Sequence, residues 1–468
     1  MDTDSARPAV TELRLSAFKS HRGVTLPLSP LTLLSGDSGS GKSSVLQAYE
    51  ILARLGSGDP LKRAVGVVAG GASACVPASA RPDDQGRRGF RLGCTVDGSM
   101  GPIHLDLAVQ AEPELRIVGE RLTGCGETLL TTALTDPTRS AVQAAWHTAG
   151  ATPVTRAPLP DDRLATSLLP LRVAGKTEGQ RLVLAAAEQV VVALRSAFVC
   201  DPRPEAMRGQ AAGGASGGGG AGRGTGARGG GRGGGPGRSG KGGGTGGPGG
   251  PTAGPLGRKG IRNGGEASGW GHDERDEGRL RSSCENLAAV LERTSRECAR
   301  RHAILVAAVR DACNGPVDGL RAVPWQPDAP TAGDAVAVGG AGDGAVAGGQ
   351  AVPDPQAVRT VLDRGALGEM PVEQLGDGEL RFLALALVLL TGPGVLAMDP
   401  VGEIPSALQQ MTVMADGMDR CMDRRQAREL VSLAVRMAER GHVRLLGTVW
   451  DPSVAEGLPG VQVLHLGV

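Results

Sequence analysis

Aromatic residues are scarce: four Phe, one Tyr and four Trp in 468 residues. A core cannot be built around rings, so Leu, Val and Ala must fill it. Lysine is sparse too, at 6 of the 50 basic residues. Long apolar runs are missing. The longest, Phe382 to Leu390, has nine residues and ends at Thr391-Gly392-Pro393-Gly394; a membrane span needs about 20. The eight cysteines (75, 94, 125, 200, 284, 298, 313, 421) contain no C-x-x-C pair. That argues against a zinc ribbon and for reduced thiols in a cytoplasmic protein. Neither charge sign dominates, since the net charge is +1, which removes any global pull toward nucleic acid or membrane. The opening MDTDSARPAVTE is acidic and lacks the apolar stretch of a secretory signal.

Glycine is abundant instead. Of the 75 glycines, 32 fall in the 63 residues from Gly209 to Gly271. They keep no period of three, which excludes collagen. The hydrophobic fraction of 40% excludes disorder throughout. The excess therefore marks a flexible linker. Arg228-Gly229-Gly230 and Arg232-Gly233-Gly234 lie inside it, with eight Lys/Arg against one acid, Glu266. A nucleic-acid-binding tract is the competing reading. The expected organisation is an N-terminal lobe over 1–200, the disordered Gly/Arg-rich linker over 201–272 and a helical region over 273–327. A Gly/Ala-rich loop over 328–356 and a C-terminal lobe over 357–468 complete it.

Hydrophobic patterning fills in the lobes. Strands are expected at Leu13–Phe18, Val24–Leu28, Leu31–Ser35, Phe90–Val96, Ile103–Val109, Leu115–Leu122 and Thr128–Ala133. Helices are expected at Ser44–Leu55, Glu178–Val199 and within Glu274–Ala312. Pro60 to Arg88 carries little pattern. Toward the C-terminus the expectation is helix Gly378–Leu390, strand Val395–Met398, helix Gln426–Glu439, and strands Val443–Val449 and Val461–Leu466. The fold class is α/β.

Gly36-Asp37-Ser38-Gly39-Ser40-Gly41-Lys42-Ser43 fits the phosphate-loop pattern G-x-x-x-x-G-K-[ST] at every position. Glycines let backbone N–H groups turn around phosphates, Lys42 neutralises β- and γ-phosphate charge, and the Ser43 hydroxyl can ligate Mg²⁺. Ser44 opens the following helix, whose N-terminus favours an anion. The pattern lies between a buried-type strand and a helix, the context that gives it meaning. ATP and Mg²⁺ are the expected ligands.

Such a loop needs an acid on a second strand. Val395-Leu396-Ala397-Met398-Asp399 is apolar and ends in Asp, so Asp399 is the expected metal residue. Upstream lies Leu375-Gly376-Asp377-Gly378-Glu379, followed by a helix. Phosphate loop, glycine–acid turn, helix and strand ending in Asp resemble the parts of an ABC-type ATPase head. Phe18-Lys19-Ser20 followed by LTLLSGDSGSGKSSVLQA resembles RecF/SMC-like ATPases. More narrowly, it is similar to bacterial AAA-family ATPases grouped with abortive-infection and OLD-type proteins. The likeness covers roughly residues 11–55 and 372–467, and Asn286–Leu291 resembles a helix of the family's middle region.

The resemblance implies a P-loop NTPase of ABC/SMC-head type with a β-rich N-terminal lobe and an α/β C-terminal lobe. It implies a homodimer with ATP sandwiched between subunits. Lys42 of one subunit would face Leu375, Gly376, Asp377, Gly378 and Glu379 of the other, with Gly378 there to let backbone approach phosphate. A DNA or protein partner would read out the pairing. Three positions depart from the family pattern. Gly376 replaces the signature serine. Pro400 stands where the catalytic Glu follows the strand Asp. No His follows the last strand, where Thr448-Val449-Trp450-Asp451 stands. Glu403, just before the D-loop-like Ser406-Ala407-Leu408-Gln409, is the replacement candidate for the catalytic Glu. Gln85, Gln143 and Gln180 are the candidates for the Q-loop. If hydrolysis is lost, a nucleotide-dependent switch remains, and a nucleic-acid-binding scaffold is the third reading.

Overall fold

The computed structural model describes residues 7–148, 154–208, 279–324, 358–392, 395–396 and 410–467. All belong to one unit, Met1–Ala212 with Arg275–Val468. A second unit, Gly213–Glu274, lies outside the described residues, as does most of the expected linker and the Gly/Ala-rich loop.

The chain begins with β1 (Ala9–Phe18), β2 (His21–Pro27), β3 (Leu31–Ser35), α1 (Lys42–Gly56) and α2 (Leu61–Ala69). Six strands follow: β4 (Arg88–Asp97), β5 (Ile103–Glu112), β6 (Arg116–Gly124), β7 (Glu127–Ala133), β8 (Ala141–His147) and β9 (Val154–Pro160). Then come α3 (Ala165–Leu168), α4 (Glu178–Arg195), β10 (Ala197–Cys200), α5 (Pro204–Met207), α6 (Leu287–Glu297) and α7 (Ala299–Ala312). The remainder comprises β11 (Gly319–Pro324), β12 (Val358–Asp363), β13 (Glu369–Pro371), α8 (Asp377–Leu390), β14 (Met411–Ala415), α9 (Arg424–Glu439), β15 (Val443–Thr448) and β16 (Gln462–His465).

Two large sheets organise these elements. The first has eight antiparallel strands in the order β2-β1-β4-β5-β6-β7-β8-β9. Its strands alternate: Ile103, Leu105, Leu107 and Val109 of β5 are buried, while the residues between them are not. One face therefore packs inward, against α1 and α4. Within that core the Glu120 carboxylate is fully buried and accepts from the Ala165 and Thr166 backbone N–H groups at 2.6 and 2.7 Å. Burial pushes its pKa up even so, and the hydrogen bonds oppose the shift.

The second sheet is parallel, in the order β10-β14-β15-β3-β16. Its central strands β3, β14 and β15 are buried at every residue, as strands covered on both faces must be. Leu34, Met414 and Leu446 face the core of α1 and the antiparallel sheet. Leu31, Leu33, Val413, Leu445 and Phe198 face the core of α6 to α9. The β-rich N-terminal part and the α/β C-terminal part thus meet across one sheet, in the architecture of an α/β P-loop NTPase. A small sheet, β11-β12-β13, flanks the second core.

Several expectations need correction. The helix from Glu178 ends at Arg195 rather than Val199. Residues 197–200 form β10 instead, because their backbone pairs with β14 in a parallel ladder. The helical stretch after the glycine tract is two helices, broken at Cys298, whose ψ of 81° is not helical. Pro60–Arg88 contains α2, a short helix with three buried residues, Leu61, Ala64 and Val65. Strands β8 and β9 extend the antiparallel sheet beyond the four expected after Arg88. Residues 201–208, assigned to the linker, are folded, with Met207 buried. Of the strand expected at Val395–Met398, Val395 and Leu396 are described, and Leu396 makes only an isolated bridge to Leu280.

Candidate nucleotide site

The phosphate loop runs from the C-terminal end of β3 into α1. Gly41 is the N-cap of α1, with φ of +93° and no side chain to cap the helix. Its conformation favours glycine, and an added Cβ would meet His21 Nε2 at 2.5 Å. The first N–H groups of α1 therefore have no side-chain acceptor at the N-cap and face an open site. Lys42 Nζ folds back over its own loop, donating to Gly36 O at 2.6 Å and Asp37 O at 2.9 Å. It also lies 5.5 Å from the centroid of the Trp450 ring. Ser40 Oγ is buried without a partner.

A cavity of 630 Å³ opens over this loop. Ser38, Gly39, Gly41, Lys42, Ser43 and Ser44 line one side, and Asp201, Asp416, Gly417, Arg420, Thr448 and Trp450 line another. Asp416 directly follows β14, and Thr448 ends β15. Strand β15 lies between β14 and β3, so the acid stands two strands from the phosphate loop at the same end of the sheet. Asp416 Oδ1 accepts from Thr448 Oγ1 at 2.6 Å, and that hydroxyl oxygen accepts from Gly417 N, also at 2.6 Å. The carboxylate is thereby oriented and still exposed.

Hard oxygen donors suit Mg²⁺, and the Ser43 hydroxyl and the Asp416 carboxylate supply two to the same cavity. The uncapped helix start and the lysine above it suit an anion. The residues present therefore fit a nucleotide with its cation. Asp399 and Glu403 lie outside the described residues. Asp416 was missed because apolar runs ending in Asp recur in the chain, at 201 and 399 as well as at 416. The signal favouring Asp416 is the capped helix after it. Asp423 Oδ1 accepts from Gln426 N at 2.7 Å, and α9 then leads into β15.

Leu375, Gly376, Asp377, Gly378 and Glu379 form the start of α8, and none of them lines this cavity. Glu379 Oε2 accepts from Gly376 N at 3.2 Å. Arg208 ties the turn down, donating to Leu375 O and pairing with Asp377, both at 2.7 Å. Gly378 has a packing reason to be glycine: an added Cβ would lie 2.1 Å from Cys421 O. Gly376 differs, since a Cβ there would meet only Glu379 Oε2, at 3.8 Å.

The expected Q-loop glutamines are elsewhere. Gln143 is on β8, Gln180 is in the first turn of α4, and Gln85 is in the loop before β4; none lines the cavity. Asp201, at the end of β10, was not singled out from sequence because the helix was expected to run through Val199.

No protein-family model and no curated protein matches the chain. Among solved structures, it is similar to an SMC head bound to the C-terminal winged-helix domain of ScpA. The two share 10% identity over 95% of this chain and 90% of that one, with a TM-score of 0.41. An SMC head domain from Thermotoga maritima matches at 11% identity, covering 96% and 91%, with a TM-score of 0.36. RecF with ATP matches at 14% identity over 28% of this chain and 30% of that one, with a TM-score of 0.19.

Proposed function

We propose that this protein is an ATP-binding, ATP-hydrolysing P-loop NTPase of the ABC and RecF/SMC-head kind. In this reading ATP pairs two copies, and the pairing is coupled to DNA or to a protein partner. One observation carries it: Lys42 and Ser43 share a cavity with Asp416 and Thr448 at the ends of neighbouring parallel strands. The backbone around Gly39 and Gly41 cradles the phosphates, and Lys42 leaves its loop carbonyls to meet their charge. Ser43 and Asp416 hold the Mg²⁺, which offsets charge on the β- and γ-phosphates. Thr448 keeps the Asp416 carboxylate turned toward it.

The placement of Leu375–Glu379 outside the cavity supports the two-copy reading. That turn is free to close on the nucleotide of a second molecule. No helix among the described residues is long and apolar enough to cross a membrane, so nothing here calls for a transport role.

Steady-state turnover of Mg-ATP tests the proposal. Lys42→Ala is expected to lower it ~100-fold or more, on the scale of losing one charge-stabilising donor. Turnover unchanged by this substitution sinks the reading. A second reading, a switch that binds ATP without consuming it, draws on Gly417. The residue after Asp416 carries no carboxylate. Mg-ATP-dependent pairs that persist for hours without release of phosphate would favour it.

A further inference from the structure

Two carboxylates line the phosphate cavity, Asp416 and Asp201. They are neighbours by register. Cys200 of β10 pairs with Ala415 of β14 in a parallel ladder, and Asp201 and Asp416 are the next residues on each. Parallel strands lie about 4.8 Å apart. Cys200 and Ala415 both point into the core of α6 to α9. Side chains alternate along a strand, so the two aspartates share the opposite side, where the phosphate loop stands.

Their environments differ. Asp416 Oδ1 is occupied by the Thr448 hydroxyl. Asp201 Oδ2 accepts from Arg203 Nε at 3.0 Å, and its Oδ1 has no partner among the described residues. The backbone of this segment is pinned. Asp201 N donates to Ser282 O at 2.9 Å, Arg203 N to Ser283 O at 3.1 Å, and buried Arg381 to Pro202 O at 2.6 Å. A carboxylate held this way, facing a phosphate cavity whose cation is served by a different residue, is placed to handle water.

We propose that Asp201 is the general base for ATP hydrolysis, a role that rests on the ATPase reading above. The oxygen of a water attacks the γ-phosphorus while the bond from that phosphorus to the β–γ bridging oxygen breaks. The electron pair of the broken bond leaves with ADP. The water's proton passes to Asp201 Oδ1 and is later released to solvent. Gly417 leaves the position after Asp416 without a side chain, so the base comes from the adjacent strand.

The test uses the full chain and three readouts: turnover, the dissociation constant of a fluorescent Mg-ATP analogue, and mass by light scattering. Asp201→Asn is expected to lower kcat ~100-fold or more and to leave the analogue's affinity within about twofold. It should also trap a doubled mass with Mg-ATP. Asp201→Ala should regain turnover with added formate, which a merely structural role would not produce. The proposal is overturned if Asp201→Asn keeps its kcat, or if it loses Mg-ATP affinity as Asp416→Asn does, which would make it a cation ligand. A large loss in Glu403→Gln alone also overturns it. Wild type that binds Mg-ATP through Lys42 but never hydrolyses it defeats Asp201 as base and leaves nucleotide binding standing. Wild type that does not bind Mg-ATP removes the ATPase reading itself.

Discussion

Gly376 and Gly378 stand two residues apart and answer to different constraints. At Gly378 a methyl group would run into the Cys421 carbonyl, and backbone cannot move aside as a flexible side chain can. Gly378→Ala is therefore expected to destabilise the fold by about 1–3 kcal/mol, read from urea unfolding. Gly376→Ser makes only an ordinary contact with Glu379 Oε2 and should stay within about 0.5 kcal/mol of wild type. Equal losses at both positions would contradict this account. The sequence pattern reads Gly376 as a replaced serine and Gly378 as room for phosphate and does not show the packing at Gly378, because a motif records spacing and says nothing of what a residue touches. The phosphate loop was legible for the opposite reason. Its pattern depends on backbone geometry that only a narrow set of residues allows, and Ser38, Gly39, Gly41, Lys42 and Ser43 of it line one cavity. Asp416 was not legible, since short apolar runs ending in Asp recur, at 201, 399 and 416.

Helix α9 shows how local signals set an element's limits. Asp423 caps its first turn, and Gln426 Oε1 returns an acceptor to Asp423 N at 3.3 Å. Asp423→Ala should cost about 1 kcal/mol, seen as a lower urea midpoint with the slope unchanged. An unchanged midpoint would mean that tertiary packing alone holds the helix start. This helix was expected from Gln426 to Glu439, close to the observed Arg424–Glu439, because its polar and apolar faces separate cleanly. Strand β5 was readable for a similar reason, since buried and less buried residues alternate along it. Where both faces are buried, the alternation vanishes. β14 reads Met-Thr-Val-Met-Ala, which resembles any short apolar run. β10 continues the apolar pattern of the helix before it. Period alone cannot separate a buried strand from a buried helix end.

At the scale of the whole molecule, the phosphate cavity and the start of α8 are distinct surfaces of one chain. If two copies close on ATP, bulk at exposed Gly376 blocks them without harming either. Gly376→Arg should bind the fluorescent Mg-ATP analogue as wild type does and fail to double its mass. Doubling that survives the substitution would place the contact elsewhere. The parallel sheet has a further consequence. β3 carries the phosphate loop, yet both of its neighbours, β15 and β16, come from the last twenty-six residues of the 468-residue chain. A polypeptide emerging from the ribosome can close the neighbouring pairs β4 to β9 of the antiparallel sheet early. Its phosphate-loop strand, made earlier, waits with both edges bare until β15 and β16 follow. On the nucleotide-binding reading, a chain cut short before Val443 would have the loop and lack the strands that hold it in place.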